Sequence, residues 1–361
     1  MRGSRGVQRV IWGAFAAAVW IPSLATTAAA AGPYPIEAHY AAAGLHQVAT
    51  ASVPDGKGGH LYELFFPADL GAGGALAPII TWGNGSDATP ADYPGLLNHL
   101  ASWGFVVVAT TNTQAGTGNE MRAGIAWLLD DAKDPGSPFH GTIDPAHIGA
   151  MGHSQGAGGT VRAATMSNGL IDTTVTVALP NQIYVTPGKH NEFDPGALAG
   201  PALFLGGTAD VFISPVGVNQ GFYDSAQHGA AMAMLKGADH NTIQKTGGGF
   251  LGYATAWFRF QLLGDPVAAG AFTGPHPELL SNASWESQAV KGLKAPATAE
   301  PTTTTTPAPT TTTTTAAADE APADAGALPA TGADMPVAAA MAALLTGLAV
   351  LAITRRRPTA T

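Results

Sequence analysis

The residue with the clearest chemical potential is Ser154, which stands in the pentapeptide G-H-S-Q-G at positions 152–156. It follows a short apolar run, 148–151, and precedes a run of small residues with helical potential, 157–166. A strand, the pattern G-x-S-x-G and a helix, in that order, are typical of a nucleophile elbow, which holds a serine hydroxyl at the head of a helix. The flanking glycines let strand and helix approach closely around a strained serine. The sequence therefore predicts a nucleophile at Ser154, and the alternative is an incidental serine in a glycine-rich loop.

Asp210 and His240 each follow a predicted strand, and both are residue types that can help to activate a serine. Asp210 comes after the strand at 202–205 and a glycine-rich turn, and His240 comes after the strand at 231–236. A serine hydroxyl is a poor nucleophile at neutral pH until a neighbouring base removes its proton. We therefore expect His240 to act as that base and Asp210 to fix its tautomer. The order serine, aspartate, histidine along the chain is that of α/β-hydrolases.

Other acids and histidines compete for the same two roles. Asp239 directly precedes the candidate histidine, so its carboxylate would have to bend back to the ring of its own neighbour. Asp224 falls in a predicted helix, and Asp194 falls in a loop. His228 and His153 are the rival bases, although His153 belongs to the elbow and its side chain is expected to pack below the serine.

A metal site is the other chemistry that acidic and histidine residues can support. His190, Glu192 and Asp194 lie in one loop, but they match neither the H-E-x-x-H pattern nor another known ligand spacing. We therefore expect no metal and no cofactor.

An oxyanion needs hydrogen-bond donors, and two segments offer them. The backbone N–H of Gln155, directly after the nucleophile, is expected to be one donor. The loop after the strand at 78–82 should supply another from the main chain of Gly83 or Asn84, and Asn84 is the better candidate. The dipole of the helix that begins at the elbow adds positive potential at the same place. The alternative is that this loop is a simple Asn-Gly turn.

Short apolar segments bounded by glycine or proline predict seven strands, which alternate with segments that favour helices. The strands are predicted at 62–66, 78–82, 105–110, 148–151, 174–179, 202–205 and 231–236. The helices are predicted at 93–102, 119–131, 157–167, 216–227 and 250–263. Such alternation indicates an α/β fold with a mostly parallel central sheet and helices on both faces, in which loops after the strands build the site.

The N-terminal residues 1–31 have the layout of a secretory signal peptide. They contain arginines without acids, then an apolar core at 10–21, then small residues suited to cleavage. A membrane-anchoring helix is the alternative, but the apolar core is shorter than the ~20 residues that a span needs. We therefore expect export and exclude these residues from the fold.

The C-terminal residues 328–361 resemble the L-P-x-T-G sorting signal of Gram-positive surface proteins. The pentapeptide L-P-A-T-G is followed by an apolar helix predicted at 335–353 and by three arginines. The resemblance implies that a sortase cleaves between Thr331 and Gly332 and joins the threonine to peptidoglycan, on an actinobacterial cell wall. The arginines would stay inside, as the positive-inside rule expects. An ordinary single-span tail anchor is the alternative.

Composition separates the rest of the chain into a domain and a stalk. Residues 32–290 are long enough for one α/β domain, whereas residues 291–327 are dominated by Thr, Pro and Ala and predict a disordered stalk. Processing would remove six of the 16 Lys+Arg and one of the 25 Asp+Glu, leaving 10 basic and 24 acidic residues and a charge of −14. This balance argues against nucleic acid as a partner. The chain has no cysteine, so neither disulfides nor thiol chemistry is expected, and we expect a monomer.

The region from about residue 62 to 275 resembles the secreted polyester hydrolases of the cutinase type, including the bacterial polyethylene-terephthalate hydrolases, within the α/β-hydrolase superfamily. The resemblance is carried by residues 83–84, 100–107, 148–159, 207–210 with Pro215, His240 and 254–258. Carried over position by position, it implies the triad already described, with Asn84 and Gln155 as the oxyanion donors.

Three positions depart from the pattern of these polyester hydrolases. The aromatic residue usual in the oxyanion loop is Asn84 here, the methionine usual after the serine is Gln155, and the tryptophan usual after the next strand corresponds to Leu179. In the family those side chains form the clamp on an aromatic acyl group. Their replacement argues against aromatic polyesters as substrates and leaves the ester-cleaving residues intact. The C-terminal disulfide of the family is also absent.

The leading interpretation is a secreted, wall-displayed serine carboxylic ester hydrolase, which acts through an acyl-enzyme on aliphatic, lipid-like or polyester substrates. Two other interpretations stay open. The same triad would serve an envelope acyltransferase or peptidase, because all of these reactions share the acyl-enzyme. A surface-binding module without activity would suit the stalk and the anchor, although such a protein would be expected to lack a triad residue and none is missing.

Overall fold

The structure is a computed structural model that describes residues 33–185 and 191–296. The predicted signal peptide, the sorting signal with its apolar helix at 335–353 and the stalk beyond residue 296 lie outside the described residues. Within the described ranges, no helix is both long enough and apolar enough to cross a lipid bilayer.

The described residues form nine strands and eight α-helices. The strands are β1 (Val48–Pro54), β2 (His60–Pro67), β3 (Ala77–Gly83), β4 (Val106–Thr110), β5 (Ile143–His153), β6 (Thr173–Val177), β7 (Ala202–Gly207), β8 (Ala230–Leu235) and β9 (Trp285–Lys291). The helices are α1 (Pro35–Ala41), α2 (Pro94–Ser102), α3 (Asn119–Asp131), α4 (Gln155–Thr165), α5 (Val216–Ser225), α6 (Leu251–Leu263), α7 (Pro266–Ala269) and α8 (Glu278–Ser281). All seven predicted strands are present, and the helix predicted at 119–131 has the bounds of α3.

One sheet contains these nine strands in the order β1-β2-β4-β3-β5-β6-β7-β8-β9. The strands β3 to β8 run parallel to one another, whereas β1 and β2 at one edge and β9 at the other pair in antiparallel fashion. The predicted mostly parallel sheet is therefore confirmed. The edge strands β1 and β9 were not predicted, because both are largely half-buried or exposed and carry no apolar run. Strand β9 ends one residue beyond the predicted domain boundary at 290.

Side chains from the two faces of the sheet pack into two separate cores. Ile80 and Trp82 of β3 point to the face covered by α2 and α6, and Ile79 points to the face covered by α3, α4 and α5. Alternation along the strand sends successive side chains to opposite faces. Each fully buried large apolar side chain contributes about 1.5–3 kcal/mol relative to exposure. The prediction of helices on both faces is thus confirmed, and the rigid sheet fixes the strand ends at which the candidate residues lie.

A group of hydrogen bonds joins the first helix to the last part of the domain, and we call it the terminal clamp. It consists of Glu37, Tyr253, Glu278, Asn282 and Trp285. The Glu278 carboxylate accepts hydrogen bonds from the first backbone N–H groups of α1, those of Ile36 and Glu37, each at 2.7 Å. The Glu37 carboxylate accepts from Trp285 Nε1–H at 2.7 Å and from Asn282 Nδ2–H at 2.5 Å. Together these bonds attach a short N-terminal helix to the edge of the domain.

Candidate active site

Ser154 lies between β5 and α4 in a strained backbone conformation, with φ of 53° and ψ of −123°. Such a conformation costs a non-glycine residue roughly 1–3 kcal/mol. A Cβ atom added to Gly152 would lie 2.3 Å from the carbonyl oxygen of Gly156, and one added to Gly156 would lie 2.2 Å from the carbonyl oxygen of Gly83. The close approach of β3, β5 and α4 therefore requires both glycines. The turn places the serine at the N-terminus of α4, where free N–H groups and the positive end of the helix dipole lie.

The side chains of Ser154, Asp210 and His240 meet at the carboxyl ends of β5, β7 and β8. The Nε2 atom of His240 lies 2.8 Å from Ser154 Oγ, and its Nδ1 atom lies 2.5 Å from Asp210 Oδ2. An ionised carboxylate can only accept hydrogen bonds, so the ring proton is assigned to Nδ1. The Nε2 atom is then free to accept the proton of the serine hydroxyl. The three residues that the sequence proposed as a triad thus lie in one hydrogen-bonded series.

The Asp210 carboxylate is buried, with 4% of its surface exposed. Burial by itself raises the pKa of Asp210, but the hydrogen bond and charge of His240 and the backbone N–H groups of Ser214 and Ile213 outweigh it. The pKa of this carboxyl is therefore lowered below its ordinary value of 3.8. An ionised Asp210 at neutral pH favours a proton on the facing ring nitrogen, and it stabilises an imidazolium when one forms.

The rival acids and bases take part in other contacts. Asp239 and Asp194 each accept a hydrogen bond from a backbone N–H group in their own turn, and Asp224 accepts one from a side chain of its own helix. His228 is exposed in the turn before β8. His153 is buried, and its ring contacts the backbone carbonyl of the residue at position 240.

The loop that contains His190, Glu192 and Asp194 is described only in part, because His190 lies outside the described residues. Among residues 33–185 and 191–296, no three His, Cys, Asp or Glu side chains are grouped as a metal ion would require.

The segments proposed for the oxyanion flank the elbow. Gln155 lines the cavity beside the serine, and Gly83 ends β3 against α4. The Asn84 side chain is fully buried: its Oδ1 accepts from Trp82 Nε1–H at 2.8 Å, and its Nδ2 donates to the Thr110 carbonyl at 2.5 Å. This side chain therefore holds the loop against β3 and β4. The next two residues, at positions 85 and 86, line the cavity.

A cavity of about 360 Å³ lies beside Ser154. Its apolar lining residues include Pro180, Tyr184, Val185, Phe193 and Ile213, and its polar lining residues include Ser86, Gln155, Asn191, Asn241 and Gln244. Leu179, in contrast, is fully buried in the core. Aromatic surface therefore reaches the cavity from Tyr184 and Phe193, which were not identified from the sequence. Tyr184 follows β6, so the rule that loops after parallel strands build the site would have pointed to it.

Residues 23–288 match the family model described as PET hydrolase-like. The chain belongs to this family. The α/β-hydrolase fold that this family implies agrees with the mostly parallel sheet and its antiparallel edges.

Three similar proteins carry related names. Cutinase est2 of Thermobifida alba is 30% identical over 215 residues, which cover 57% of this chain and 64% of that protein. A cutinase of Thermobifida fusca (strain YX) is 29% identical over 277 residues, 71% of this chain and 84% of that protein. A bis(hydroxyethyl) terephthalate hydrolase of Streptomyces coelicolor is 28% identical over 259 residues, 68% of this chain and 77% of that protein. The chain thus spans less than two thirds of the length of est2.

Proposed function

We propose that this chain is an exported serine ester hydrolase that cleaves carboxylic esters through an acyl-enzyme at Ser154. The observation that carries the proposal is the hydrogen-bonded series of Ser154, His240 and Asp210, which stands at the N-terminus of α4 and beside a cavity. Membership of the PET hydrolase-like family supports it, as do relatives named as cutinases and as a terephthalate ester hydrolase.

In the acylation step, His240 Nε2 takes the proton of the Ser154 hydroxyl while Oγ attacks the ester carbonyl carbon. The tetrahedral intermediate collapses, the carbon–oxygen bond to the alcohol breaks, and His240 gives its proton to the leaving alkoxide. Asp210 stabilises the imidazolium between these two transfers. In deacylation, His240 takes a proton from a water molecule, which attacks the carbonyl carbon of the acyl-enzyme. The bond to Ser154 Oγ then breaks, His240 returns the proton to Oγ, and the acid is released.

The developing oxyanion would be stabilised by main-chain donors. We assign one to the N–H of Gln155, at the start of α4, and the other to the loop of Gly83 and Asn84, with Asn84 preferred. The buried Asn84 side chain supports this assignment, because its bonds to Trp82 and Thr110 hold the loop in place before the substrate binds. Preorganised donors of this kind typically contribute about 10²–10³-fold to kcat each.

The cavity favours an acyl group with an apolar body. Tyr184, Val185 and Phe193 offer apolar surface, and Gln155 and Gln244 add polar groups to the lining. Such a site suits aliphatic, lipid-like or polyester substrates. The two aromatic side chains lie at positions other than those of the family clamp, so aromatic polyesters belong among the substrates to be compared.

We also propose that the domain is displayed on the cell wall. This proposal is supported by the signal-peptide layout of residues 1–31, by the Thr/Pro/Ala composition of residues 291–327 and by the L-P-A-T-G pentapeptide, which ends in Thr331 and Gly332. The partners would be sortase and peptidoglycan. Cell fractionation checks this proposal: exchange of Leu328 and Pro329 for alanine should move the protein from the wall to the membrane or medium. Unchanged wall attachment would argue for another anchor.

The activity is tested with p-nitrophenyl esters of increasing acyl length, a soluble aliphatic polyester and bis(hydroxyethyl) terephthalate. Ser154→Ala should lose turnover and fluorophosphonate labelling by roughly 10⁴-fold or more. Ser225→Ala, at the far end of α5, is the matched control and should retain both. Equal turnover in Ser154→Ala and the parent would contradict the proposal.

The same experiment separates the competing functions. If added sugar or amine acceptors capture the acyl group in preference to water, the chain is an acyltransferase. If peptides are cleaved and esters of all lengths are not, it is a peptidase. If the parent neither turns over esters nor reacts with the fluorophosphonate, yet binds polymer or cell surfaces, it is a binding module.

A further inference from the structure

His153, directly before the proposed nucleophile, lies beneath the site and is almost completely buried, with 1% of its surface exposed. Its Nε2 atom lies 2.7 Å from the backbone carbonyl oxygen of His240, and its Nδ1 atom lies 3.0 Å from the Tyr93 hydroxyl. The rings of His153 and His240 are 4.9 Å apart between centroids. Both nitrogens of this buried ring are therefore engaged, although the proposed chemistry does not use it.

The partners of His153 determine where its proton lies. A carbonyl oxygen can only accept, so Nε2 carries the hydrogen and donates to the carbonyl of His240. In the neutral ring Nδ1 is then an acceptor, and the Tyr93 hydroxyl must donate to it. The Tyr93 oxygen in turn accepts from the backbone N–H of Gly85 at 3.1 Å.

These bonds form one continuous series, which we call the site network. It consists of Gly85, Tyr93, His153 and the backbone carbonyl of His240. Gly85 lies in the loop after β3, from which an oxyanion donor is proposed, and His240 lies in the loop after β8. The network thus joins two loops of the site through the residue next to the nucleophile.

We infer that His153 and Tyr93 are positioning residues, which hold the oxyanion loop and the proposed catalytic histidine at a fixed distance from Ser154. The inference rests on the proposed function, and it deepens it by assigning two residues that do not contact the reacting atoms. A chain of fully satisfied buried hydrogen bonds rigidifies the groups that it joins.

The space around Gly85 is matched to this network. A Cβ atom at position 85 would lie 2.9 Å from His153 Nδ1 and 3.0 Å from the Tyr93 hydroxyl oxygen. The φ angle of Gly85 is not positive, so an alanine would be opposed by this contact and not by backbone strain. Glycine is required here because the loop backbone approaches the two side chains closely.

The charge state of His153 suits the same role. Burial, followed by the neighbouring charge of His240, lowers the pKa of His153 to about 4, while Asp210 and the His240 carbonyl oppose the shift. At neutral pH the ring is therefore uncharged. A second positive charge 4.9 Å from the His240 ring would disfavour the imidazolium that the proposed reaction forms.

The kinetic test uses Tyr93→Phe, His153→Phe, His153→Gln and Gly85→Ala, with kcat and KM measured on one p-nitrophenyl ester. Loss of one positioning bond should lower kcat roughly tenfold in Tyr93→Phe and more in His153→Phe, with KM within about twofold. Glutamine carries a donor and an acceptor on its amide, so His153→Gln should recover much of the loss. Gly85→Ala should resemble Tyr93→Phe.

Tyr253→Phe is the matched control, because it also removes one buried tyrosine hydroxyl but lies in the terminal clamp. It should keep the parental kcat while it lowers the unfolding temperature to a similar degree as Tyr93→Phe. Equal kcat in the parent, Tyr93→Phe and His153→Phe would overturn the inference. So would a fall in kcat that follows the unfolding temperature in both tyrosine variants.

A second measurement does not depend on turnover. In protein labelled with ¹⁵N-histidine, NMR should find the proton of neutral His153 on Nε2, and Tyr93→Phe should shift the Nδ1–H resonance of His240. Tyr253→Phe should leave that resonance unchanged. An Nδ1-protonated or charged His153 at neutral pH, or no shift in Tyr93→Phe, would overturn the inference. If the parent protein showed no esterase activity while the His240 resonance still shifted in Tyr93→Phe, the result would instead count against the proposed function.

Discussion

The site network and the terminal clamp are both buried hydrogen-bond networks built around a tyrosine hydroxyl, but they differ in charge. The Tyr93 hydroxyl bonds to a backbone N–H and to a neutral imidazole. The Tyr253 hydroxyl accepts from Asn282 at 2.8 Å and lies 3.3 Å from the Glu278 carboxylate. The first network joins two loops of the site without a charged member, whereas the second gathers two acidic side chains.

The effect of the gathered acidic side chains is seen in the pKa of Glu37. Burial raises the pKa of Glu37 above 4.5, the Trp285 and Asn282 side chains oppose this, and the charge of Glu278 adds to the rise. Charge-assisted bonds are individually stronger than neutral ones, so they suit the attachment of segments that are 241 residues apart in the chain. Neutral bonds suit the site, because they fix geometry without a competing charge near His240. We therefore expect variants of the two networks to separate activity from stability.

The largest expected effect on activity comes from removal of the Asp210 charge, which the site does contain. Asp210→Asn should lower kcat by roughly 10⁴-fold, because the amide favours the wrong tautomer of His240. Its unfolding temperature should change far less than its activity. Steady-state kinetics and thermal unfolding of this variant and of Asp224→Asn, an exposed helix residue, check the expectation. Retention of kcat within tenfold would contradict the catalytic role proposed for Asp210.

The largest expected effect on stability belongs to the clamp. Glu278→Ala leaves the N–H groups of Ile36 and Glu37 without their acceptor, and the free energy of unfolding should fall by about 4 kcal/mol. The kcat of the folded variant should equal that of the parent. Urea unfolding measures the loss, and Glu278→Gln, which keeps one acceptor, should lose less. A Glu278→Ala protein with parental stability would contradict the role given to the clamp.

The pH dependence of stability should carry a signature of His153. Its folded pKa of about 4 is below the ordinary value of 6.5, so the unfolded chain binds more protons between these values. The free energy of unfolding should therefore rise with pH from about 4 to 6.5, by at most about 3 kcal/mol. The groups that face this ring are Tyr93, His240 and Asp210. Urea unfolding across this range should give a flatter curve for His153→Gln, and equal slopes would exclude a depressed pKa.

The clamp should contribute a smaller dependence of opposite sign. The pKa of Glu37 is raised in the folded protein, so the folded state holds its proton more tightly than the unfolded state. This contribution to stability is fully present below pH 4.5 and is lost as the pH rises through the folded pKa. The shift is offset by two hydrogen bonds, so the slope should be weaker than that of His153. Comparison of Glu37→Gln with the parent isolates it: the free energy of unfolding of the parent should rise less steeply with pH than that of Glu37→Gln, and equal slopes would contradict the shift.

Local patterns in the sequence were sufficient for much of the sheet and for the candidate residues. Apolar runs between glycines located β2 to β8, and the bounds of α3 followed from its helical segment. The strand-end rule and chain order selected Ser154, Asp210 and His240 as candidates, and their catalytic roles stay predictions that the variants above test. The edge strands β1 and β9 could not be predicted in this way. Among the described residues, each has a neighbouring strand on one edge only, and most of its residues are half-buried or exposed, so burial does not require an apolar run there.

The sequence by itself determined which residues could do chemistry, because the elbow glycines and the strand ends are local features with local steric causes. Only the tertiary structure decided what surrounds them. Tyr93 directly precedes α2 and is predicted from the sequence only as part of a helix, yet packing of that helix brings its hydroxyl to His153. Tyr184 and Phe193 line the cavity, and Glu278, from the last part of the domain, accepts hydrogen bonds from the first N–H groups of α1. Such contacts depend on which elements become neighbours in the folded sheet, and no local spacing encodes that.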